Sequence, residues 1–461
     1  MVIVGTKYTI AVNGEVTLEK QSIQTFDEAV RYLYDMPRFT KKNTPENTKA
    51  HLNLLGSLDK QIPFIIHVAG TNGKGSVCAY LRYILEETGA KVATFTSPHL
   101  VDIRERFCIN GQMMSREDFL RIFLQVYESL DWEALAQDEG YHPTFFEYLF
   151  FMGMLWFAEE KPDYCILETG LGGRLDATNC VSHKELTIIT RIGLDHVEYL
   201  GDTLEAIAAE KAGIMCQGVP LICCGEVEEA LTIFEKHGKN LQIQVISVSN
   251  KDYALLKFNN KTIDFSLQTR YYGYIGITLH TLARYQMENA SIAVRAAEQI
   301  CGPDGLSAEQ IQEGLKKAFW PGRMEEVLPE VFVDGAHNGD GIRAFLETVS
   351  GDGCEILGRK RILLFSVVQD KDYEFMINQV LDAALFERIY VAHMETSRAT
   401  GLEQLKVLWC ARDNHPQIYF DENVQGALRR ALSDRTDERI YIAGSLYLVG
   451  EIKEFLSNDQ F

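Results

Sequence analysis

One stretch, residues 67–76, constrains the fold of this chain more than any other: it reads HVAGTNGKGS. Residues 62–67, ahead of it, have the β-branched and aromatic run of a buried strand, and residues 76–85, behind it, carry apolar side chains at helical spacing. A strand, a glycine-rich turn and a helix bind phosphate, because glycines let backbone N–H groups converge on the oxygens and the helix N-terminus adds positive charge. The stretch therefore predicts a nucleotide-binding α/β domain.

The pattern departs from the usual phosphate loop in two places. Val68 stands where the first glycine is expected, and Gly75 stands where a hydroxyl residue normally ligates Mg²⁺. Lys74 still supplies a mobile cation for the outer phosphates, and a tight strand-to-helix connection without a ligand is the alternative. The residues predicted to contact the nucleotide here are Gly70, Thr71, Asn72, Gly73, Lys74, Gly75 and Ser76.

Length and charge restrict the classes of partner. At 461 residues the chain is too long for one core, and a net charge of −20 argues against a nucleic-acid or membrane surface. An anionic substrate must then be received by local cations and metal. The ten cysteines form no C-x-x-C pair and are expected to be free thiols of a reducing compartment. Residues 148–158 are too few to cross a bilayer, and we expect a cytoplasmic protein without nucleic-acid or membrane partners.

Hydrophobic patterning divides the chain. Strands predicted at 91–96, 163–169, 186–191 and 219–224 alternate with helical stretches, which is typical of a doubly wound, mostly parallel sheet. A weak alternation predicts a strand or hairpin within 1–24, and short alternating runs predict a small antiparallel patch at 241–285.

A turn signal, WPGR at 320–323, precedes a second alternation. We expect a phosphate-loop domain over 1–320, a linker or hinge at 321–328 and a smaller, Rossmann-like α/β domain over 329–461. Its predicted strands are 331–334, 361–367, 388–392, 417–420 and 439–443.

Polar side chains follow several predicted strands, at the edge where open α/β sheets bind ligands. Ser97 is read as a functional residue or as part of a turn. Glu168 ends an apolar strand, so a metal or a cation must face it, and an ion pair with Arg174 is the alternative. His196 follows Asp195, a candidate for orienting its imidazole.

Two further segments contain polar residues that could belong to a site. Lys211 lies near the end of a predicted helix, where a plain lysine could compensate the helix dipole. Asp334, His337 and Asn338 crowd a turn after a strand of the second domain, and an ordinary turn is the alternative.

Taken in order, these stretches resemble the folylpolyglutamate synthase and dihydrofolate synthase family, within the wider group of Mur-type ATP-dependent amide ligases. The resemblance rests on HVAGTNGKGS, TSPHL…ER, ETGLGGRLDATN, LDH…LG, AAEKAGI, PGRMEE, VDGAHN and GSLYLVG, and it covers nearly the whole chain. It implies a Mur ligase-like central domain and an ATP-dependent ligase that adds L-glutamate to folate or dihydropteroate through an acyl phosphate. A bifunctional, monomeric enzyme using ATP and two Mg²⁺ ions is expected.

The resemblance also implies roles for single residues. Ser97 and Glu168 resemble ligands of one Mg²⁺, with the Ser97 hydroxyl replacing the one that Gly75 lacks. His196 and Lys211 resemble ligands of the second Mg²⁺, with Lys211 carbamylated, since an ammonium cannot ligate a cation.

The remaining implied roles concern substrates. Arg106 resembles the contact of the acceptor carboxylate, and Asn289 resembles a nucleotide-side position. Arg323, Asp334 and His337 resemble residues that close the second domain over ATP and glutamate. Glu147, in an apolar helix, receives no role, and a buried pair is as good a reading.

Two other functions stay open at this stage. Another Mur-type ligase would act on a peptidoglycan precursor, but a hydroxyl residue would then be expected at Gly75. A nucleotide-binding switch without synthetic activity would keep 70–76 but would not need Glu168, His196 and Lys211 together.

Overall fold

The computed structural model describes residues 9–10, 16–17, 20–36, 43–136, 140–259, 261–412 and 416–458. Two mostly parallel sheets, each flanked by helices, organise the chain, which confirms the predicted α/β class. Within these ranges no helix is both long and apolar enough to cross a membrane.

The first sheet has eight strands and carries the predicted phosphate loop. Six of its strands pair in parallel. Phe107–Ile109 and Gln112–Met113 extend one edge, and each pairs antiparallel with the strand before it. In spatial order the strands are Val245–Val248, Leu221–Cys224, Leu186–Ile189, Ile65–Ala69, Tyr164–Glu168, Val92–Phe95, Phe107–Ile109 and Gln112–Met113.

Apolar side chains on both faces of this sheet explain its helical layers. Ile65–Ala69 is buried along its whole length, as expected of a central parallel strand. The helices are Phe26–Asp35, Pro45–Leu54, Lys74–Glu86, Arg116–Glu128, Trp132–Ala136, Phe145–Glu160, Val197–Leu200, Leu204–Ala212, Glu228–Leu241, Gln286–Gly305 (kinked at Gly302) and Ala308–Lys317. Short 3₁₀ turns cover Leu58–Gln61, Ile103–Arg106 and Ala177–Cys180.

Two small antiparallel elements accompany the first sheet. Tyr253–Phe258, Ile263–Gln268 and Tyr274–Leu279 form a three-stranded sheet inside the predicted patch. The start of that prediction was wrong, because Val245–Val248 pairs in parallel with Leu221–Cys224. Thr9–Ile10 pairs antiparallel with Val16–Thr17, and the rest of 1–19 lies outside the described residues.

The second sheet has six strands, and every strand predicted for this part is present. In spatial order they are Glu325–Leu328, Val331–Val333, Arg439–Ala443, Arg361–Phe365, Arg388–Ala392 and Gln417–Asp421. Only the first is antiparallel to its neighbour, and it takes up half of the predicted linker 321–328. The helices are Gly339–Ser350, Tyr373–Ala383, Leu402–Trp409, Val424–Asp434 and Leu446–Asn458.

Candidate active site

The predicted phosphate loop leaves the central strand of the first sheet in backbone conformations that favour glycine. Gly70 has φ +148° and Gly73, which precedes helix Lys74–Glu86, has φ +90°. A Cβ on Gly70 would lie 1.8 Å from Oγ1 of Thr190, and one on Gly73 would lie 2.3 Å from Oδ1 of Asn289. Neither position has room for a side chain, so close packing fixes the loop.

Hydrogen bonds from the neighbouring strand end hold the same loop. The Thr190 hydroxyl donates to the carbonyl of Asn72 at 2.7 Å. The backbone N–H groups of Thr71 and Asn72 donate to the carbonyl of Arg191 at 3.0 and 3.2 Å. The Thr71 hydroxyl donates to the carbonyl of Gly193 at 3.0 Å. The loop is thus tied to the residues that follow strand Leu186–Ile189.

Two lysines converge on this loop. Lys74 Nζ donates to the carbonyls of Gly70 and Thr71 at 3.1 and 3.2 Å, and Lys211 Nζ donates to the carbonyl of Gly70 at 2.8 Å. Lys211 is 4% exposed, and burial together with the charge of Lys74 lowers its pKa to about 7. Lys211 is therefore buried against the loop, and it is not the solvated cation of a helix end.

Glu168 and Ser97 meet beside the loop. Glu168 ends its strand, is 2% exposed, and accepts a hydrogen bond from the backbone N–H of Ser97 at 3.0 Å. Burial raises the pKa of Glu168, although the positive charge of Lys74 opposes the shift. The alternative pairing with Arg174 was wrong: Arg174 is bonded to Glu210 at 2.9 Å and its side chain is largely exposed.

Asp195 does not orient the imidazole of His196 as the sequence suggested. Its Oδ1 accepts from the backbone N–H of His196 at 2.9 Å, whereas Nε2 of that ring lies 3.9 Å away. The ring nitrogen is 3.4 Å from Nζ of Lys371. Burial lowers the pKa of His196 to about 4, so the imidazole is neutral at pH 7.

Side chains from the second sheet lie over this edge of the first. Asn338 Nδ2 donates to Oδ1 of Asn72 at 3.1 Å and to Oδ2 of Asp195 at 3.0 Å. His337 donates from Nδ1 to the carbonyl of Gly335 at 2.7 Å, and burial lowers its pKa to about 4. The structure therefore brings the turn around His337 to the phosphate loop, far from it in sequence.

Asp334 and Arg323 lie together at the same turn. The Asp334 carboxylate, 2% exposed, accepts from the Tyr285 hydroxyl at 2.6 Å and from the backbone N–H groups of Ala336 and Met324 at 2.9 and 3.0 Å. Burial raises its pKa, and the positive charge of Arg323 opposes that shift. These donors hold the strand end and the turn in one conformation.

Asn289, which packs on Gly73 of the loop, belongs to a chain of buried amide side chains. Asn289 Nδ2 donates to Oε1 of Gln286 at 2.9 Å, and Gln286 Nε2 donates to the hydroxyl of Ser76 at 3.1 Å. This chain joins helix Gln286–Gly305 to the helix that follows the loop.

Arg106 lies further along the edge, after Ser97. Its Nε donates to Nδ1 of His99 at 2.8 Å, and Nε2 of His99 lies 3.0 Å from the hydroxyl of Tyr34. Burial and the charge of Arg106 lower the pKa of His99 to about 3, which keeps it neutral. The guanidinium also lies 5.4 Å from the ring centroid of Phe145.

Glu147 has a structural role. It accepts from the backbone N–H of Thr144 at 2.7 Å in the capping box of its helix, and from Thr48 and Asn43 at 2.7 and 2.8 Å. A buried ion pair was one reading of this residue, but its described partners are neutral donors.

Lys371, Tyr34 and His99 are the site residues that sequence reasoning missed. Lys371 follows strand Arg361–Phe365 in the segment QDKDY, and polar residues after a strand were the available signal. Among the described residues, no group of three or more His, Cys, Asp or Glu side chains is placed to hold a metal ion.

The middle of the chain and its fold are similar to those of known ligases. Residues 68–297 match the Mur ligase middle domain. The folylpolyglutamate synthase of Mycobacterium tuberculosis, solved with ADP and AMPPCP, superimposes with a TM-score of 0.83 at 26% identity, covering 95% of this chain and 99% of that one. E. coli FolC, solved with DHPP and ADP, gives a TM-score of 0.79 at 27% identity over 94% of this chain and 98% of that one.

One relative is similar enough over its whole length to show the family of this chain. The dihydrofolate synthase/folylpolyglutamate synthase of Bacillus subtilis (strain 168) is 34% identical over 448 residues, which are 94% of this chain and 99% of the relative. The chain belongs to the dihydrofolate synthase/folylpolyglutamate synthase family, as the motifs predicted.

Proposed function

We propose that this chain is an ATP-dependent ligase that joins L-glutamate to the carboxyl group of a folate or of dihydropteroate. The observation that carries the proposal is the convergence of Lys74, Lys211, Glu168 and His337 at one edge of two facing sheets. Ligation needs such a site because the acceptor carboxylate, the triphosphate and the glutamate are all anionic, while the chain carries a net charge of −20.

The reaction has two steps. The acceptor carboxylate attacks the γ-phosphorus of ATP, and ADP leaves, giving an acyl phosphate. The neutral α-amino group of glutamate then attacks the carbonyl carbon, and the tetrahedral intermediate loses phosphate and a proton to give the amide. The protein's part is to position the reactants, neutralise charge and exclude water.

Each group of side chains supports one part of this chemistry. The loop from Gly70 to Ser76 holds the phosphates, with Lys74 turning from the loop carbonyls to the phosphate oxygens. Asn289 and Arg323 contact the nucleotide. Arg106 receives the acceptor carboxylate.

The turn from the second sheet serves the glutamate. Asp334 and His337 face the glutamate where the second domain closes over ATP and glutamate. His337 is a neutral imidazole whose Nδ1–H is committed to the carbonyl of Gly335. Its Nε2 is left to accept a proton or a hydrogen bond.

Mg²⁺ fits part of the donor set present. The carboxylate of Glu168, which accepts from the backbone N–H of Ser97, and the Ser97 hydroxyl are oxygen donors of the kind Mg²⁺ prefers, and neutral His196 offers a nitrogen. Lys211 as an ammonium does not fit. When bound, two Mg²⁺ ions would neutralise the triphosphate and the transferred phosphoryl group.

We propose further that Lys211 is carbamylated: its neutral amine attacks CO₂ and loses a proton, which leaves an anionic oxygen ligand. Its burial and its pKa of about 7 favour the neutral amine that this step requires. With ¹³C-labelled bicarbonate, wild-type protein should show a carbamate carbon signal that is absent in Lys211→Ala and Lys211→Arg. An unchanged spectrum in the variants would refute the assignment.

The choice of acceptor is tested directly. Phosphate release from ATP is measured with dihydropteroate or tetrahydrofolate, each with and without glutamate. We expect release only when acceptor and glutamate are both present, and a bifunctional enzyme accepts both compounds. Phosphate release that does not depend on glutamate would favour the nucleotide switch. Phosphate release that requires a peptidoglycan precursor would favour another Mur-type ligase. A monomer, expected from the sequence, is checked by sedimentation.

A further inference from the structure

Asp195 lies in the loop that follows Leu186–Ile189 of the first sheet, yet its side chain faces the second. Its Oδ1 lies 2.5 Å from Nζ of Lys371, and its Oδ2 accepts from Asn338 at 3.0 Å. Oδ2 is also 3.8 Å from Nε2 of His337. One carboxylate of the first sheet thus meets three side chains of the second.

Lys371 is presented to Asp195 by a braced loop. The backbone N–H of Gln369 donates to the carbonyl of Arg398 at 2.8 Å, and its side-chain amide donates to the carbonyl of Ala399 at 2.7 Å. The side chains of Lys371 and Asp195 are only 6% and 9% exposed. Their ion pair is therefore shielded from water, unlike the exposed pairs that contribute little.

The pair is positioned to control geometry at the phosphate loop. Asn338 uses the same Nδ2 for Asp195 and for Asn72, so the contact that holds Asp195 also touches the loop. A shielded charge without its partner is strongly unfavourable, which makes the pair sensitive to any shift between the two sheets.

We propose that Asp195 and Lys371 are positioning residues: their ion pair docks the second sheet on the first and sets His337 and Asn338 over the phosphate loop. The pair acts through these neighbours and through the fit of the two sheets. The inference rests on the proposed ligase function only for its activity measurement.

The first test is a double-mutant cycle with Lys371→Met, Asp195→Asn and the double variant. Each single variant should lose at least about tenfold in kcat/KM for glutamate, while AMPPCP affinity stays within about threefold of wild type. The double variant should lose no more than the worse single variant, because neither charge is then left alone. Losses that multiply, or a parallel loss of AMPPCP affinity, would overturn the proposal.

The second test needs no substrate and no ligase activity. Hydrogen exchange of backbone amides in 335–342 and 366–372 should be at least about tenfold faster in Asp195→Asn and Lys371→Met than in wild type. The matched control is Lys453→Met, which removes a lysine of helix Leu446–Asn458 that pairs with Glu325, in the first strand of the second sheet. Unchanged exchange in both site variants, or an equal change in the control, would overturn the inference even if the ligase proposal holds.

Discussion

Gly73→Ala should weaken nucleotide binding, and the structure provides a matched control for it. Gly73 has φ +90° and Gly89 has φ +85°, so alanine meets the same backbone strain at both positions. A Cβ on Gly89 meets no atom within 4 Å, whereas one on Gly73 would lie 2.3 Å from Oδ1 of Asn289. The two variants therefore separate backbone strain from the clash inside the site.

The expected magnitudes follow from these contacts. The left-handed conformation costs alanine about 1–2 kcal/mol at either position. At Gly73 the amide of Asn289 must also move, which breaks its hydrogen bond to Gln286 and leaves buried polar atoms unsatisfied at about 1–3 kcal/mol more. We expect unfolding free energies lower by about 1–2 kcal/mol for Gly89→Ala and about 2–5 kcal/mol for Gly73→Ala.

Urea unfolding and calorimetric titration with AMPPCP measure the two effects. Gly73→Ala should bind AMPPCP at least about tenfold more weakly, and Gly89→Ala should bind it like wild type. Equal behaviour of the two variants in both measurements would refute the argument that close packing of Asn289 on the loop shapes the nucleotide site.

Other expectations concern charge and pH. Lys74→Ala should lower kcat for ligation by about 100-fold or more with an unchanged fold by circular dichroism, and normal turnover would remove Lys74 from phosphate stabilisation. His337→Ala should keep AMPPCP affinity and lose turnover; parallel losses would instead place His337 on the nucleotide. Burial, with Glu395 and Glu454 nearby, raises the pKa of Glu451 to about 7, so its ionisation destabilises the fold as pH rises through that value. Glu451→Gln should therefore raise the unfolding free energy near pH 8 and not near pH 4, and equal gains at both would contradict the assignment.

Local sequence determined most of the strands, the phosphate loop and the family, but Phe107–Ile109 and Gln112–Met113 were not predicted. The apolar run before Gly70 forms a strand, and the glycines around Lys74 form a tight turn. Both structures depend on interactions between residues close in sequence, so the local pattern is enough to predict them. The five strands predicted for the second sheet also lie where the hydrophobic pattern placed them, whereas Glu325–Leu328 lies in the predicted linker. At Val245–Val248 the local pattern failed, because a short alternating strand reads alike whether it joins a parallel or an antiparallel sheet.

Only the tertiary structure decided which charges meet. Asp195 was assigned to its sequence neighbour His196, yet its carboxylate pairs with Lys371, which lies on the other sheet. Arg174 and Glu168 share one motif, but the chain turns between them, and Glu168 accepts from Ser97. Glu147 received no role from the sequence, and its capping contacts with Thr144 appear only in the fold. Sequence fixes which side chains are charged, whereas partner choice depends on contacts between segments distant in the chain, which no local pattern records.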